Sequence, residues 1–264
     1  LFSPRSPRSF ILAENQTITL RCPKCGDKYR FEAPTVMNAG KEEDLPALVK
    51  LFESAESGFK KENPFTFMCP RCGHTESSVW PELRVYFPYR GFDTELFLAR
   101  PLSDETREEA AIRVAGKPTV WSRMSRAMFM GRTRRVCFTI EDFIEHGRML
   151  SVHLYDHYAA ITVALCLLRM QEETDDKFTY ANARFSVSNP EVFGDYGHLK
   201  NFYVVFTSET GKRTRVVNFP LDLYLQLVNK SVISAWDEPL IADMSWALPI
   251  AEELYPQIRI PEGS

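Results

Sequence analysis

Short β-prone runs occupy the N-terminal third of the chain. Each is a few residues long, is rich in β-branched and aromatic side chains, and is bounded by turn residues, which is the pattern of short strands. These runs are residues 17–20, 29–32, 65–68, 78–80 and 94–98. Residues 202–206 and 214–219 have the same character on either side of Glu209-Thr210-Gly211-Lys212, and this predicts a β-hairpin.

Apolar residues at helical spacing predict helices between and after these strands. Leu45, Leu48, Leu51 and Phe52 give this spacing within residues 44–59. Further helices are predicted over residues 104–114, from Thr139 onward, over 154–171 and over 220–229. Thr139 with Asp142 resembles a helix N-cap. From residue 235 the chain is rich in Trp and Pro, and an irregular segment held by apolar side chains is expected.

The order of these elements predicts an α+β protein. We expect a basic tail over residues 1–13, a zinc-ribbon-like subdomain with an inserted helix over 14–100, a helical and mixed domain with a C-terminal hairpin over 101–230, and a Trp- and Pro-rich tail over 231–264. The net charge of −3 gives no global attraction to nucleic acid or to anionic lipid. The longest apolar run, residues 158–168, is too short to span a membrane.

Four of the six cysteines form two Cys-Pro-x-Cys-Gly turns, and these are the most specific motif in the sequence. Cys22, Cys25, Cys69 and Cys72 have the spacing of a tetrahedral four-thiolate site for one zinc ion. A redox pair is the competing interpretation, but the duplication of the motif argues against it. Because four thiolates leave no position for a water molecule, a structural role is expected. Cys137 and Cys166 lie in apolar contexts and are expected to be buried, inert thiols.

The two cysteine motifs, together with the strands beside them, resemble the CpXC domain of bacteria and archaea. The first motif reads Leu20-Arg21-Cys22-Pro23-Lys24-Cys25-Gly26, and the second reads Phe67-Met68-Cys69-Pro70-Arg71-Cys72-Gly73. The resemblance covers about the first third of the chain. It implies a zinc-binding domain in a prokaryotic, intracellular protein, and it implies no reaction.

An arginine-rich stretch without acids suggests a different function. Residues 111–140 contain the candidate phosphate contacts Arg123, Arg126, Arg132, Arg134 and Arg135, with Trp121 and Phe129 available for base stacking. The alternative is internal, because acidic residues flank the stretch on both sides and can neutralise it within the fold.

Histidines in the middle of the chain suggest a third possibility. If residues 146–157 form one continuous helix, His153 and His157 lie one turn apart and can hold a second metal ion. Solvated or hydrogen-bonded histidines are the competing interpretation. The sequence lacks a Gly-rich phosphate loop, a Gly-x-Ser-x-Gly motif and His-Glu-x-x-His.

The leading hypothesis is a non-enzymatic, zinc-stabilised interaction or scaffold protein that works with protein partners in a larger assembly. The alternatives are a nucleic-acid-binding factor using residues 113–135 and a metal-dependent enzyme around His153 and His157. Free thiols and the metal motif favour a reducing, cytoplasmic location. The Arg- and Ser-rich N-terminus would also suit a remnant of an organellar targeting sequence, and then a matrix location.

Overall fold

The protein is a mixed α+β structure, and its described residues form two large hydrophobic cores and a smaller cluster around Phe97, Ala111 and Val136. The computed structural model describes residues 14–56, 64–76, 81–88, 93–119, 124, 132–174, 178, 183–187, 202–208, 211, 213–234 and 238–258. The strands are β1 (Glu14–Arg21), β2 (Lys28–Asn38), β3 (Phe67–Met68), β4 (Thr75–Glu76), β5 (Leu83–Phe87), β6 (Thr94–Leu98), β7 (Thr133–Cys137), β8 (Ala183–Val187), β9 (Phe202–Thr207) and β10 (Thr214–Asn218). The helices are α1 (Leu45–Glu56), α2 (Arg107–Ala115), α3 (Ile140–Ser151), α4 (Asp156–Glu173), α5 (Leu221–Asn229) and α6 (Met244–Leu254), with a 3₁₀ turn over Tyr255–Gln257.

A five-stranded mixed sheet organises the N-terminal half. Its strand order is β1-β2-β5-β6-β7, with β2–β5 and β6–β7 parallel and the other two pairs antiparallel. The short hairpin of β3 and β4 is separate from this sheet. Because β7 pairs with β6, the sheet contains residues from both sides of the boundary expected at residue 100.

Helices α1 and α3 cover one face of this sheet. Leu48, Leu51 and Phe52 of α1 are buried in one cluster with Phe143 and Ile144 of α3 and with the inward side chains of β5 and β6. Gly147 of α3 lies against Phe52 of α1, and a Cβ atom at Gly147 would lie 2.5 Å from the Phe52 ring. A glycine is therefore required there by packing.

The second core surrounds α4. This helix is buried on nearly all sides over its first twelve residues, as expected from its almost unbroken apolar sequence. It packs against α5, α6 and the three-stranded antiparallel sheet β10-β9-β8. The helix predicted over residues 154–171 and the hairpin predicted from 202 to 219 are confirmed.

Local capping signals explain where the helices of the middle region begin. The Thr139 side chain accepts a hydrogen bond from Asp142 N, so the predicted N-cap of α3 is confirmed. Helix α2 begins later than predicted, because Thr106 and Glu109 form a full capping box there.

Cys137 and Cys166 are buried as expected, and burial raises the pKa of both thiols.

The expectation of an irregular C-terminal segment was wrong for residues 244–254. They form α6, which starts at the Asp243 N-cap and contains Pro249 in its interior. Met244, Ala247 and Ala251 are buried against the α4 core, and this packing outweighs the poor helix propensity of proline. Trp246 packs against the same core, whereas Trp236 lies outside the described residues.

Within the part of the chain that the structure describes, no single helix is both long and apolar enough to cross a membrane. Helices α3 and α4 reach that length and composition only as a pair, bent by 112°.

Candidate metal centre

The four cysteines lie at the tips of two hairpins. Strand β1 ends at Arg21 and β2 begins at Lys28, so Cys22 and Cys25 fall in the turn between them. Strands β3 and β4 frame Cys69 and Cys72 in the same way. We call residues 22–26 the first knuckle and residues 69–73 the second knuckle.

The two knuckles have the same backbone hydrogen bonds. Gly26 N donates to Cys22 O and Gly73 N donates to Cys69 O, both at 2.9 Å. A second bond closes each turn, from Cys22 N to Asp27 O at 2.9 Å and from Cys69 N to His74 O at 2.7 Å. Gly26 and Gly73 have φ of 73° and 67°, a left-handed conformation that favours glycine. The Cys-Pro-x-Cys-Gly sequence therefore produces one local structure twice.

The sulfur atoms of Cys22, Cys25, Cys69 and Cys72, the four-cysteine cluster, all lie within 4.8 Å of one another. Cys22 Sγ is 3.6 Å from Cys72 Sγ, and Cys25 Sγ is 3.6 Å from Cys69 Sγ, so both contacts join the two knuckles. A tetrahedral ion with metal–sulfur bonds of about 2.3 Å places its sulfur atoms about 3.8 Å apart. All six cysteines of the chain are free thiols. The cluster therefore fits a tetrahedral metal ion.

The electrostatics of the cluster favour a bound cation. Burial raises the pKa of the Cys22 thiol, but backbone hydrogen bonds at Cys25 and Lys24 outweigh this and lower it to about 6. At Cys25 a backbone hydrogen bond at Asp27 lowers the pKa, whereas burial and the neighbouring thiols raise it to about 12. One thiol thus ionises readily and makes ionisation of the next one costly. A metal cation removes this repulsion and stabilises all four thiolates together.

Three aromatic residues, Tyr29, Phe31 and Phe67, pack together on the strands that carry the two knuckles. The Tyr29 ring lies 5.1 Å from that of Phe67, and the Phe31 ring lies 6.2 Å from that of Phe67. The Tyr29 hydroxyl is buried, and it has no hydrogen-bond partner among the described residues. Burial, followed by the charges of Cys22 and Cys69, raises the pKa of Tyr29 to about 12, so its hydroxyl stays protonated at neutral pH. Tyr29 was not singled out in the sequence analysis. Its position in β2, three residues after Gly26, was the available signal.

The described arginines of the predicted nucleic-acid surface are bound to internal acids. Arg132 Nη1 donates to the buried Glu95 carboxylate at 2.8 Å, and Arg134 lies 3.7 Å from the same group. Arg135 is fully buried. Arg123 and Arg126 lie outside the described residues. Internal neutralisation, the alternative drawn from the sequence, is what the structure shows for Arg132, Arg134 and Arg135.

Arg135 is the centre of a buried ionic cluster that the sequence did not predict. Its guanidinium donates to Asp156 at 2.5 and 2.9 Å, to Glu238 at 3.1 Å and to the carbonyl of Pro239. His146 Nδ1 lies 2.8 Å from Asp156, and His157 Nδ1 lies 3.3 Å from the Arg135 guanidinium. We call Arg135, His146, Asp156, His157 and Glu238 the Arg135 cluster.

The predicted alignment of His153 and His157 on one helix was wrong. Helix α3 ends at Ser151 and α4 begins at Asp156, so His153 lies in the turn between them with φ of 58°. It is His146, not His153, that shares Asp156 with His157. Among the described residues, the four-cysteine cluster is the one group of His, Cys, Asp and Glu side chains close enough to hold a metal ion.

Comparisons with protein-family models, with curated proteins and with solved structures all find no match for this chain.

Proposed function

We propose that this chain is a non-enzymatic, zinc-stabilised interaction or scaffold protein that acts within a larger assembly. The observation that carries the proposal is the convergence of four sulfur atoms, two from each knuckle, on one tetrahedral position. Such a site has no position for substrate or water, so the metal holds structure. The resemblance of the two knuckles to the CpXC domain agrees with this role.

Zinc is the ion that best fits the donors. Four thiolates in a tetrahedron suit a soft to borderline ion without a geometric preference of its own, and they suit magnesium or calcium poorly. Metal analysis of the purified chain should find about one zinc per chain. The double variant C22S/C69S should lose it, and C166A, a buried cysteine outside the cluster, should keep it.

The use of the other charged groups supports a non-enzymatic role. Catalytic sites commonly use buried acids and bases with shifted pKa values. Here Glu95 is held by Arg84 and Arg132, and Asp156 is held by Arg135 and His146, so these carboxylates serve the packing of the fold. A reducing, cytoplasmic location belongs to the same proposal, because free thiols persist there.

The test is whether the zinc-loaded chain has specific protein partners. Affinity purification from the native host at physiological salt should recover a defined set of chains, and C22S/C69S should lose that set whereas C166A retains it. A monomeric, partnerless chain that turns over a substrate would contradict the proposal. Metal content and partner recovery are measured on the same samples, so a misfolded variant is recognised.

A further inference from the structure

The two edge strands of the five-stranded sheet, β1 and β7, differ in whether another segment of the described chain bonds to their outer side. At β7 the chain itself covers the edge, because Val136 N donates to Leu240 O at 2.8 Å and Arg135 donates to Pro239 O. At the opposite edge, β1 pairs with β2 alone among the described strands. This edge is eight residues long and mostly exposed. Long open edges are rare in isolated proteins, because they add strands from other chains.

The register of the hairpin shows which backbone groups face outward. The bond from Cys22 N to Asp27 O makes this pair a hydrogen-bonded one, and such pairs alternate along an antiparallel ladder. The pairs Arg21–Lys28, Thr19–Arg30 and Thr17–Glu32 are therefore the non-hydrogen-bonded ones. The N–H and C=O groups of Thr17, Thr19 and Arg21 point away from β2, toward the open edge.

The side chains of the same residue pairs form one exposed face. Arg21, Lys28 and Arg30 are exposed on it, and Ile18, Leu20 and Phe31 lie on the opposite, half-buried face. Arg21 is directly opposite Lys28, and non-hydrogen-bonded pairs bring side chains closest together. Like charges in this position destabilise a sheet.

These cations have no counterpart within the described part of the chain. Arg21, Lys28 and Arg30 make no ion pair with a described residue, although Glu32 shares their face and Asp27 contacts Arg71 at 3.9 Å. The contrast lies three strands away, where Arg84, Arg132 and Arg134 surround the buried Glu95. The fold thus gives the arginines around β6 a buried carboxylate partner and leaves the three cations of the β1–β2 hairpin without one among the described residues.

We propose that β1 is a docking edge for an acidic, extended segment of a partner protein, which adds to the sheet as a sixth strand. Main-chain hydrogen bonds to Thr17, Thr19 and Arg21 supply affinity, and acidic side chains at every second position face Arg21, Lys28 and Arg30. The inference rests on the proposed interaction function and names the chemistry of the partner. The first knuckle ties β1 to β2 at one end, so bound metal fixes the register of the docking edge.

The probe is a fluorescent peptide of about ten residues with alternating Glu and Thr, matched by a peptide with Lys in place of Glu. Fluorescence anisotropy with the zinc-loaded full chain should detect the Glu peptide only. The variant R21S/K28S/R30S should bind it at least about tenfold more weakly, since a charge-assisted contact is worth about this factor.

The backbone is tested by a matched pair at Thr19. T19P removes an outward N–H without breaking the ladder to β2, and proline is tolerated at such edge positions. T19V keeps the N–H. We expect T19P to weaken peptide binding about tenfold and T19V to change it less than about twofold, with zinc content and unfolding midpoint unchanged in both.

Four results would overturn the inference. A Glu peptide that binds R21S/K28S/R30S as well as the parent shows that the cations do not recognise it. Tighter binding of a dodecathymidylate strand, unaffected by T19P, assigns the surface to nucleic acid. Loss of zinc from R21S/K28S/R30S shows that these cations offset the charge of the thiolates. If T19P still recovers the zinc-dependent partners, this inference fails while the proposed function stands.

Discussion

Gly26 and Gly73 hold equivalent places in the two knuckles, and both have a left-handed backbone. A Cβ atom at either position would meet nothing within 4 Å, so the requirement for glycine is conformational and not steric. Gly147 is the opposite case, since its φ is ordinary and its neighbour Phe52 leaves no room. Two different physical reasons thus require glycine in one small fold.

Substitution of Gly26 measures the free-energy cost of the left-handed backbone conformation directly. G26A should cost about 1 kcal/mol of backbone strain, which corresponds to about fivefold weaker metal binding. Competition with a zinc-binding dye measures the affinity. G26N should weaken it less, because asparagine adopts the left-handed conformation more readily than alanine. Equal affinities for all three chains would contradict the conformational argument.

The buried guanidinium of Arg135 should dominate the stability of its surroundings. R135M keeps much of the volume but leaves Asp156 and Glu238 without their cation, and the free energy of unfolding should fall by about 3–5 kcal/mol. R134M, one residue away on a side chain that is 42% exposed, should cost about 0–1 kcal/mol. Urea denaturation of both variants checks the contrast, and similar losses would refute it.

Asp156 gives a pH signature of the same cluster. Burial raises its pKa, but Arg135 and hydrogen bonds from His146 and His157 lower it well below its ordinary value in the folded state. Its contribution to stability is therefore complete above the unfolded pKa of about 3.9 and is lost as pH falls below that value. The stability difference between the parent and D156N should be constant from pH 7 to 5 and shrink from pH 4 to 3. If the stability difference between the parent and D156N grew on acidification, the pKa of Asp156 would be raised in the folded state and not lowered.

At the scale of elements, helices and strands were predicted where the signal lies in the local sequence, and strand β6 matches its predicted run. The Thr139 cap and the apolar periodicity of α1 and α4 are local signals, so these helices were predicted near their observed positions. Strand β7, with the sequence TRRVC, gives no such signal. Its Arg135 is accommodated only because carboxylates from residues 156 and 238 reach it, and neither is visible from the strand itself. Strand β8 was missed as well, and it depends on pairing with β9.

Helix α6 offers a test of tertiary packing against propensity. Pro249 is exposed and lacks the N–H that would bond to Ser245 O. P249A should raise the free energy of unfolding by about 2 kcal/mol, since an interior proline costs about 3 and the freer unfolded chain returns up to about 1. P256A is the control, because Pro256 lies at the start of a 3₁₀ turn where no N–H is needed. Thermal melts compare the two, and a destabilised P249A would contradict the view of α6 as a strained helix.

For the whole molecule, the metal and the helical core are expected to be separable. Strands β3 and β4 have two residues each and cannot hold a hairpin alone, whereas the α4 core contains no residue of the four-cysteine cluster. Metal removal by a chelator should release the second knuckle and fray the tip of the β1–β2 hairpin, with α4 still protected. Hydrogen exchange before and after chelation, with zinc re-addition as the control, measures this. Loss of protection in α4 would show that the two parts unfold together.

Some residues of the candidate sites could be predicted from local sequence motifs, and others are brought together only by the fold. Cys22, Cys25, Cys69 and Cys72 were predicted because each pair is a four-residue motif whose chemistry is readable without the fold. The possible pairing of His153 with His157, which required one continuous helix, is not formed because the chain turns between α3 and α4, with Leu154 N bonded back to Met149 O. The Arg135 cluster was missed because its members are brought together from distant parts of the chain by packing alone.

The Arg135 cluster also sets an order on biosynthesis. Glu238 lies 103 residues after Arg135. At about 5–20 residues per second, a ribosome needs about 5–20 s to make that interval. During this time β7 carries a cation whose full set of partners does not exist, and burying it would be costly. We therefore expect β7 to dock fully on the sheet only after the C-terminal segment with Glu238 has left the ribosome. Folding of the N-terminal sheet would then depend on a residue that is synthesised much later.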